Sequence, residues 1–128
     1  MTAQLSDGMG SPFALLPLEP DGPLLAALRD GLLHPRDLAV LWVLLARLDW
    51  RSGRAWVSSQ DLAAAIGHDR TNTVNGSLAR LRRLGMVAKG QDKRDRRHFW
   101  CVNPVTVAAT GGPQRRERQR WQFWEACE

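Results

Sequence analysis

Two glycines, Gly67 and Gly85, mark the ends of two short helices in the middle of the chain, and this arrangement constrains the fold more than any other feature. A glycine just beyond the last turn is a common helix end. The second helix carries an apolar stripe at helical spacing, formed by Val74, Leu78 and Leu81. Two short helices joined by a tight connection pack at a steep angle, so the second one presents its opposite face outward.

The flanking elements follow from apolar periodicity and from Pro and Gly breakers. Pro35 opens a helix whose apolar stripe is Leu38, Leu41, Trp42, Leu45 and Leu48. Ser58 is expected to cap the helix at 59–66, and Asp69 or Thr71 the next helix. Short strands are predicted at 55–57, 86–88 and 98–102, with a polar turn at 90–97. Large aromatic side chains are expected in the core: Trp42, Trp50, Trp56 and Trp100.

These elements predict an α+β, mostly helical fold in three parts. Residues 1–22 form an irregular arm, residues 23–110 form one domain, and residues 111–128 add a C-terminal helix. That helix is basic at its start and aromatic at its end. Its aromatic residues pack on the domain or on a second subunit, or else the segment is a basic arm.

Positive charge is concentrated in one stretch of the chain. Residues 70–97 contain nine Arg or Lys and two Asp, a net of +7, whereas residues 1–69 contain five Arg or Lys and eight acids. Ordinary solvated surfaces intersperse the two signs. This concentration therefore predicts a negatively charged partner such as nucleic acid.

The order helix, short strand, helix, tight turn, helix, strand, basic loop, strand resembles the winged helix-turn-helix family over residues 35–103. The matching motifs are Trp56-Val57-Ser58, Leu62-Ala63-Ala64-Ala65-Ile66-Gly67, Thr73-Val74 with Leu78 and Leu81, and Arg83-Leu84-Gly85-Met86-Val87. The resemblance implies a two- to three-stranded antiparallel wing sheet and a recognition helix. It also implies double-stranded DNA as the partner, bound by a homodimer.

The recognition helix supplies the first group of expected contacts. The major groove admits a helix, and the N-terminal part of that helix contacts the bases. The expected residues are Arg70, Thr71, Asn72, Thr73, Asn75 and Gly76, followed by Arg80 and Arg83. Gly76 lowers helix stability, which indicates a close backbone approach to DNA. The alternative is that these polar residues are merely exposed.

The loop between the last two strands supplies the second group. Four cations, Lys93, Arg94, Arg96 and Arg97, occupy a loop that needs only a short turn. Such a wing is suited to phosphates or to the minor groove, and the alternative is a solvated loop. Asp92 and Asp95 are expected to shape the turn.

The end of the second strand, Phe99-Trp100-Cys101-Val102 followed by Asn103-Pro104, resembles the winged-helix domain of some plasmid replication initiators. This implies replication initiation or transcriptional regulation as the process. The alternative is a winged-helix module that binds another protein.

Enzymatic and metal chemistry are not expected. His98 and Cys101 are three apart in a strand and point to opposite faces, so they do not converge on a metal. No catalytic arrangement or cofactor motif is present. Cys101 is expected to be buried and Cys127 to be a free thiol. The absence of a signal peptide and of a long apolar run indicates a cytoplasmic protein without a membrane span.

Overall fold

The computed structural model describes residues 14–15, 22–49, 52–67, 70–104, 107, 109–110 and 113–127. These residues form an α+β fold. Its helices are α1 (Pro23–Arg29), α2 (Pro35–Ala46), α3 (Ser59–Ala65), α4 (Thr71–Arg83) and α5 (Pro113–Cys127). Its strands are β1 (Ala14–Leu15), β2 (Leu48–Asp49), β3 (Arg54–Ala55), β4 (Val87–Gln91), β5 (His98–Val102) and β6 (Ala109–Thr110).

The buried side of α2 differs from the predicted stripe. The helix buries Asp37, Val40, Leu41 and Leu44. The Trp42 side chain is 70% exposed, so its expected place in the core was wrong. The helix ends at Ala46 because Leu48 belongs to β2, where it pairs with Ala55. Of the other tryptophans expected in the core, Trp100 is buried, Trp56 is half-buried, and Trp50 lies outside the described residues.

The two consecutive helices form as predicted. The Ser58 hydroxyl accepts a hydrogen bond from the Asp61 amide at 3.1 Å, which caps α3. Gly67 and Gly85 follow α3 and α4 with φ of +78° and +74°. Arg70 occupies the cap position of α4 and its side chain makes no capping hydrogen bond, and Thr71 is the first residue of the helix. Asp69, the other expected cap, lies outside the described residues. α4 packs against both α2 and α3.

The main sheet has four antiparallel strands in the order β2-β3-β5-β4, one more than the upper limit of the sequence prediction. The additional strand is β2, which pairs with β3 across the turn at Ser52 and Gly53. The predicted strand at 55–57 is instead Arg54–Ala55. β4 runs to Gln91, so it takes two residues from the predicted loop.

Both faces of the sheet are covered, as the alternation along β5 demonstrates. Trp100 and Val102 join the main core with α2, α3 and α4. Phe99 and Cys101 point to the other face, where they pack with Phe123 of α5. Successive strand residues face opposite sides, so burial of both sets requires a layer on each side. The predicted C-terminal helix therefore forms and supplies the second layer.

A two-stranded ribbon connects distant parts of the chain. β1 pairs antiparallel with β6, with Ala14 opposite Thr110 and Leu15 opposite Ala109. The segment predicted as an irregular arm thus contributes a strand, and most of its residues lie outside the described part. Among the described helices, none combines the length and apolar character needed to cross a bilayer.

Gly90 provides a test of the packing between β4 and β5. A Cβ atom on Gly90 would overlap Cζ of Phe99, whose ring is itself buried. We expect Gly90→Ala to lower the free energy of unfolding by about 1–2 kcal/mol, because the ring must leave its position.

The control is Gly76→Ala. A Cβ at Gly76 meets no atom within 4 Å. Replacing a helical glycine by alanine should then raise stability by about 0.5–1 kcal/mol. Urea denaturation monitored by tryptophan fluorescence measures the free energy of unfolding of both variants. A Gly90 variant as stable as the wild type would contradict the described packing.

Candidate nucleic-acid interface

The outward side of α4 carries most of the polar residues predicted from the sequence. Asn72, Asn75 and Arg83 are exposed, as is Arg70 immediately before the helix. Thr71, Thr73 and Gly76 are half-buried. The opposite side buries Val74, Ser77, Leu78 and Leu81. Internal packing of the apolar stripe thus orients the polar side chains outward.

Gly76 is not required by contacts within the protein. The space that a Cβ would occupy is open, and the backbone angle is not in the left-handed region. A glycine that destabilises the helix without solving a packing problem leaves the backbone accessible from outside. This geometry allows a ligand to approach the helix closely at this residue.

The hairpin loop, defined here as Asp92–Arg97, is shaped by its two aspartates, as predicted. The Asp92 carboxylate accepts a hydrogen bond from the Arg94 amide at 2.7 Å, and the Asp95 carboxylate accepts one from the Arg97 amide at 3.0 Å. The backbone closes through Asp92 N–H to Arg97 O at 2.8 Å. The hydrogen bond from the Arg94 amide is the main reason that the pKa of Asp92 lies below its ordinary value. The two acids therefore act on the loop backbone.

Arg54 holds the base of the hairpin loop and was missed by the sequence prediction. One of its terminal nitrogens lies 2.9 Å from Oδ2 of Asp92, and its Nε donates to Oε1 of Gln122 on α5 at 2.8 Å. Its guanidinium also lies 4.3 Å from the centre of the Phe99 ring. Because successive side chains of a strand point to opposite faces, the buried Ala55 predicts that Arg54 and Trp56 both point to the other side. The same alternation does not identify the partners of these two residues.

A short chain of contacts links the hairpin loop to α4. The Arg97 guanidinium lies 4.6 Å from the centre of the Trp56 ring. Three residues further along the chain, the Ser59 hydroxyl lies 2.5 Å from Oδ1 of Asn75 on α4. Three residues of backbone span at most about 10 Å. The hairpin loop and α4 are therefore linked through the segment from Trp56 to Ser59 at the start of α3.

Most cations of this region are not neutralised within the protein. Arg97 contacts an aromatic ring, and the others form no ion pair with any described residue: Arg70, Arg82, Arg83, Lys93, Arg94 and Arg96. They are also exposed. Their charge is thus available to an external anion.

Arg80 is different, because it is engaged inside the protein. Its Nε and one terminal nitrogen each donate to Asp37 of α2 at 3.0 Å. The Asp37 side chain is completely buried and also accepts a hydrogen bond from the His34 amide at 2.9 Å. The sequence prediction placed Arg80 among the DNA contacts because no acid partner exists within its own helix. The partner lies instead on another helix.

Burial favours the neutral form of Asp37, but this effect is outweighed. Hydrogen bonds from Arg80 and from the His34 backbone favour the carboxylate, so its pKa lies below the ordinary value. A sequence signal existed: Asp37 is one turn from Val40 and Leu41 on the buried side of α2. An acid on a buried stripe requires a cation.

The described residues contain no group of three or more His, Cys, Asp or Glu placed to hold a metal ion. His98 is exposed, whereas Cys101 is buried beneath α5. Burial raises the pKa of the Cys101 thiol to about 12. Comparison with known proteins adds no family: no family model, curated protein or solved structure matches the chain.

Removal of Arg80 tests the ion pair. Arg80→Ala leaves a buried carboxylate without its cation, and we expect the free energy of unfolding to fall by about 2–4 kcal/mol. Arg83→Ala, an exposed cation on the same helix, is the control and should change it by less than about 0.5 kcal/mol. Equal effects of the two substitutions in urea denaturation would show that the pair does not stabilise the fold.

The pH dependence of the free energy of unfolding tests the same ion pair through the titration of Asp37. Because the folded-state pKa of Asp37 lies below 3.8, its carboxylate stabilises the fold above that pH and loses this contribution as the pH falls below it. Asp37→Asn should therefore be clearly less stable than the wild type at pH 6, and the difference should shrink below pH 3.8. A difference that stays constant down to pH 2.5 would contradict this assignment.

Proposed function

We propose that the protein is a sequence-specific double-stranded DNA-binding protein of the winged helix-turn-helix type. In this proposal α4 is the recognition helix, α3 is the helix before it, and the hairpin loop is the wing. The process served is replication initiation of the plasmid or phage type, or transcriptional regulation.

One observation carries the proposal. The hairpin loop carries exposed cations that form no ion pair with a described residue, and it is linked through Trp56 and Ser59 to α4, whose outward side is polar. Such an arrangement matches a partner that combines a regular line of anions with polar base edges. A protein partner with a single acidic patch does not require both features.

The outward side of α4 has the chemistry needed in the major groove. Asn side chains can form paired hydrogen bonds with adenine, and Arg side chains can do so with guanine. The side chains of Asn72 and Arg70 form no hydrogen bond with any described residue, whereas the Asn75 side chain contacts Ser59. The open backbone at Gly76 permits the helix to lie close to the groove. In this account Arg80 positions α4 and does not contact bases.

The hairpin loop supplies affinity that does not depend on sequence. Lys93, Arg94 and Arg96 are exposed on a loop whose backbone is already fixed by Asp92 and Asp95. A preorganised loop loses little conformational entropy when it binds. Phosphate contacts from these side chains would release counterions and make binding sensitive to salt.

The experiment that tests the function is selection of bound duplexes from a random pool by the full chain, followed by binding measurements at two salt concentrations. The proposal predicts a consensus site and affinity that falls steeply with salt. Recovery of no consensus, together with no salt-dependent complex, would refute it and would favour the protein-interaction alternative.

Base contacts by α4 are tested with Asn72→Ala and Arg70→Ala. If each residue contacts a base pair bidentately, its removal should reduce discrimination at one position of the site by about 1–3 kcal/mol. Fluorescence anisotropy with single-position site variants measures this. Arg36→Ala on α2 is the matched exposed control and should leave discrimination unchanged. Unaltered preference in the α4 variants would place base recognition elsewhere.

Phosphate binding by the hairpin loop is tested with the triple variant Lys93→Ala, Arg94→Ala and Arg96→Ala. Binding should weaken for all sequences alike. The slope of log affinity against log salt should become shallower by about 0.9 for each phosphate that the loop no longer neutralises. A variant of equal charge, with Arg29, Arg36 and Arg47 changed to Ala, separates local binding from net charge. Identical slopes for the two triple variants would exclude the hairpin loop as a phosphate-binding element.

A further inference from the structure

Helix α5 has a buried side and an outward side of contrasting character. Gln119, Gln122 and Phe123 are buried against the sheet. Directly opposite, Trp121 and Trp124 are 63% and 54% exposed. Adjacent exposed indoles form an apolar surface that is characteristic of interaction sites. Of these three aromatic residues of α5, Phe123 is the one that the domain buries.

We propose that this outward side of α5 binds the same side of α5 in a second copy of the chain, with the two helices antiparallel about a two-fold axis. The surface is called the tryptophan face and consists of Glu117, Trp121 and Trp124. At 100° per residue, these three positions fall within about 60° of one another around the helix axis, on the side opposite the buried residues. The proposal does not depend on DNA binding.

The charges of α5 favour an antiparallel pair. The first half of the helix carries Arg116, Arg118 and Arg120 with one acid, Glu117, whereas the described second half carries Glu125 as its charged residue. Antiparallel association places the basic half of one copy beside the acidic half of the other. Parallel association would place basic half beside basic half.

The positions of Arg118 and Glu125 make this complementarity specific. They are seven residues apart, so they lie two turns from each other on the same flank of the helix. A two-fold axis near residues 121–122 brings Arg118 of each copy opposite Glu125 of the other, which gives two equivalent ion pairs. Isologous interfaces of this kind are self-complementary by construction.

With the axis at the level of residue 122, Trp124 of the second copy lies within about one residue of the position opposite Trp121, and Arg118 and Glu125 stay within the same margin. An open cleft of about 410 Å³ lies beside Trp121, and it is lined by Ser52, Arg54, Glu117, Arg118, Trp121 and Gln122. An aromatic side chain inserted into a cleft near the centre of an interface is the usual form of a strong contact. We therefore place Trp124 of each copy at the mouth of the cleft of the other.

The interface is small, which sets the strength of the dimer. Two partly exposed indoles contribute about 300 Å² of surface per copy, well below the roughly 800 Å² per partner of a standard interface. The flanking side chains add to this area without reaching a permanent association. We expect a dimer that dissociates in the micromolar range, so that concentration controls it.

Sedimentation velocity of the full chain without DNA, over a series of concentrations, tests the proposal. The wild type should shift from monomer to dimer. The double variant Trp121→Ala and Trp124→Ala should weaken the dimer at least tenfold. Trp42→Ala removes an even more exposed indole from α2 and should have no effect. A wild type that stays monomeric, or a double variant that dimerises equally well, overturns the proposal.

Charge reversal tests the antiparallel register and does not depend on the indoles. Arg118→Glu and Glu125→Arg should each weaken the dimer, because each places like charges opposite one another. The double variant carrying both changes should restore the dimer, since the pairs are re-formed with reversed sign. Failure of the double variant to recover dimerisation, with its circular dichroism spectrum unchanged, would contradict the proposed register. Because DNA is absent throughout, these outcomes are independent of the proposed DNA binding.

Discussion

The ion pair between Asp37 and Arg80 is the interaction on which the geometry of the candidate surface depends. Asp37 accepts a hydrogen bond at the start of α2 and two more from Arg80, 43 residues away on α4. A buried carboxylate is costly without its cation, so displacement of α4 from α2 is strongly opposed. One side of α4 is thereby fixed to α2 and its apolar stripe to the core. The remaining side, with Asn72 and Gly76, is left facing outward.

The hairpin loop is held in a different way. Its acidic side chains accept hydrogen bonds from its own backbone amides, and its basic side chains are exposed. Asp92 and Asp95 use their carboxylates on amides of the loop itself, and Arg54 joins Asp92 to Gln122 of α5. The C-terminal helix thus contributes to the position of the loop as well as to the second layer on the sheet. Positive charge remains on Lys93, Arg94 and Arg96 because the nearby acids already have partners. The ion pair with Asp37 holds α4, and the two aspartates hold the hairpin loop, so two independent sets of contacts fix the two groups of exposed residues.

Local signals in the sequence predicted the local features well. The helix ends at Gly67 and Gly85, the cap at Ser58, the strand at 98–102 and the turn shaped by Asp92 and Asp95 all depend on residues within one or two turns of each other. The failures involve partners that are distant in sequence. β2 has only two residues and exists through its pairing with β3, and Trp42 lies on a helix whose apolar residues fit more than one buried side. Arg80 and Arg54 could not be assigned, because their partners belong to elements whose packing the sequence pattern does not determine.

The most direct measurement of the central claim is the change in backbone amide chemical shifts when the isotopically labelled full chain is titrated with its selected duplex. If DNA binds to α4 and the hairpin loop, the largest changes occur at residues 70–76 and 92–97, with small changes in α1 and on the exposed side of α2. Changes confined to α1 or α5, or none at saturating duplex, would contradict the claim that α4 and the hairpin loop form one DNA-binding surface.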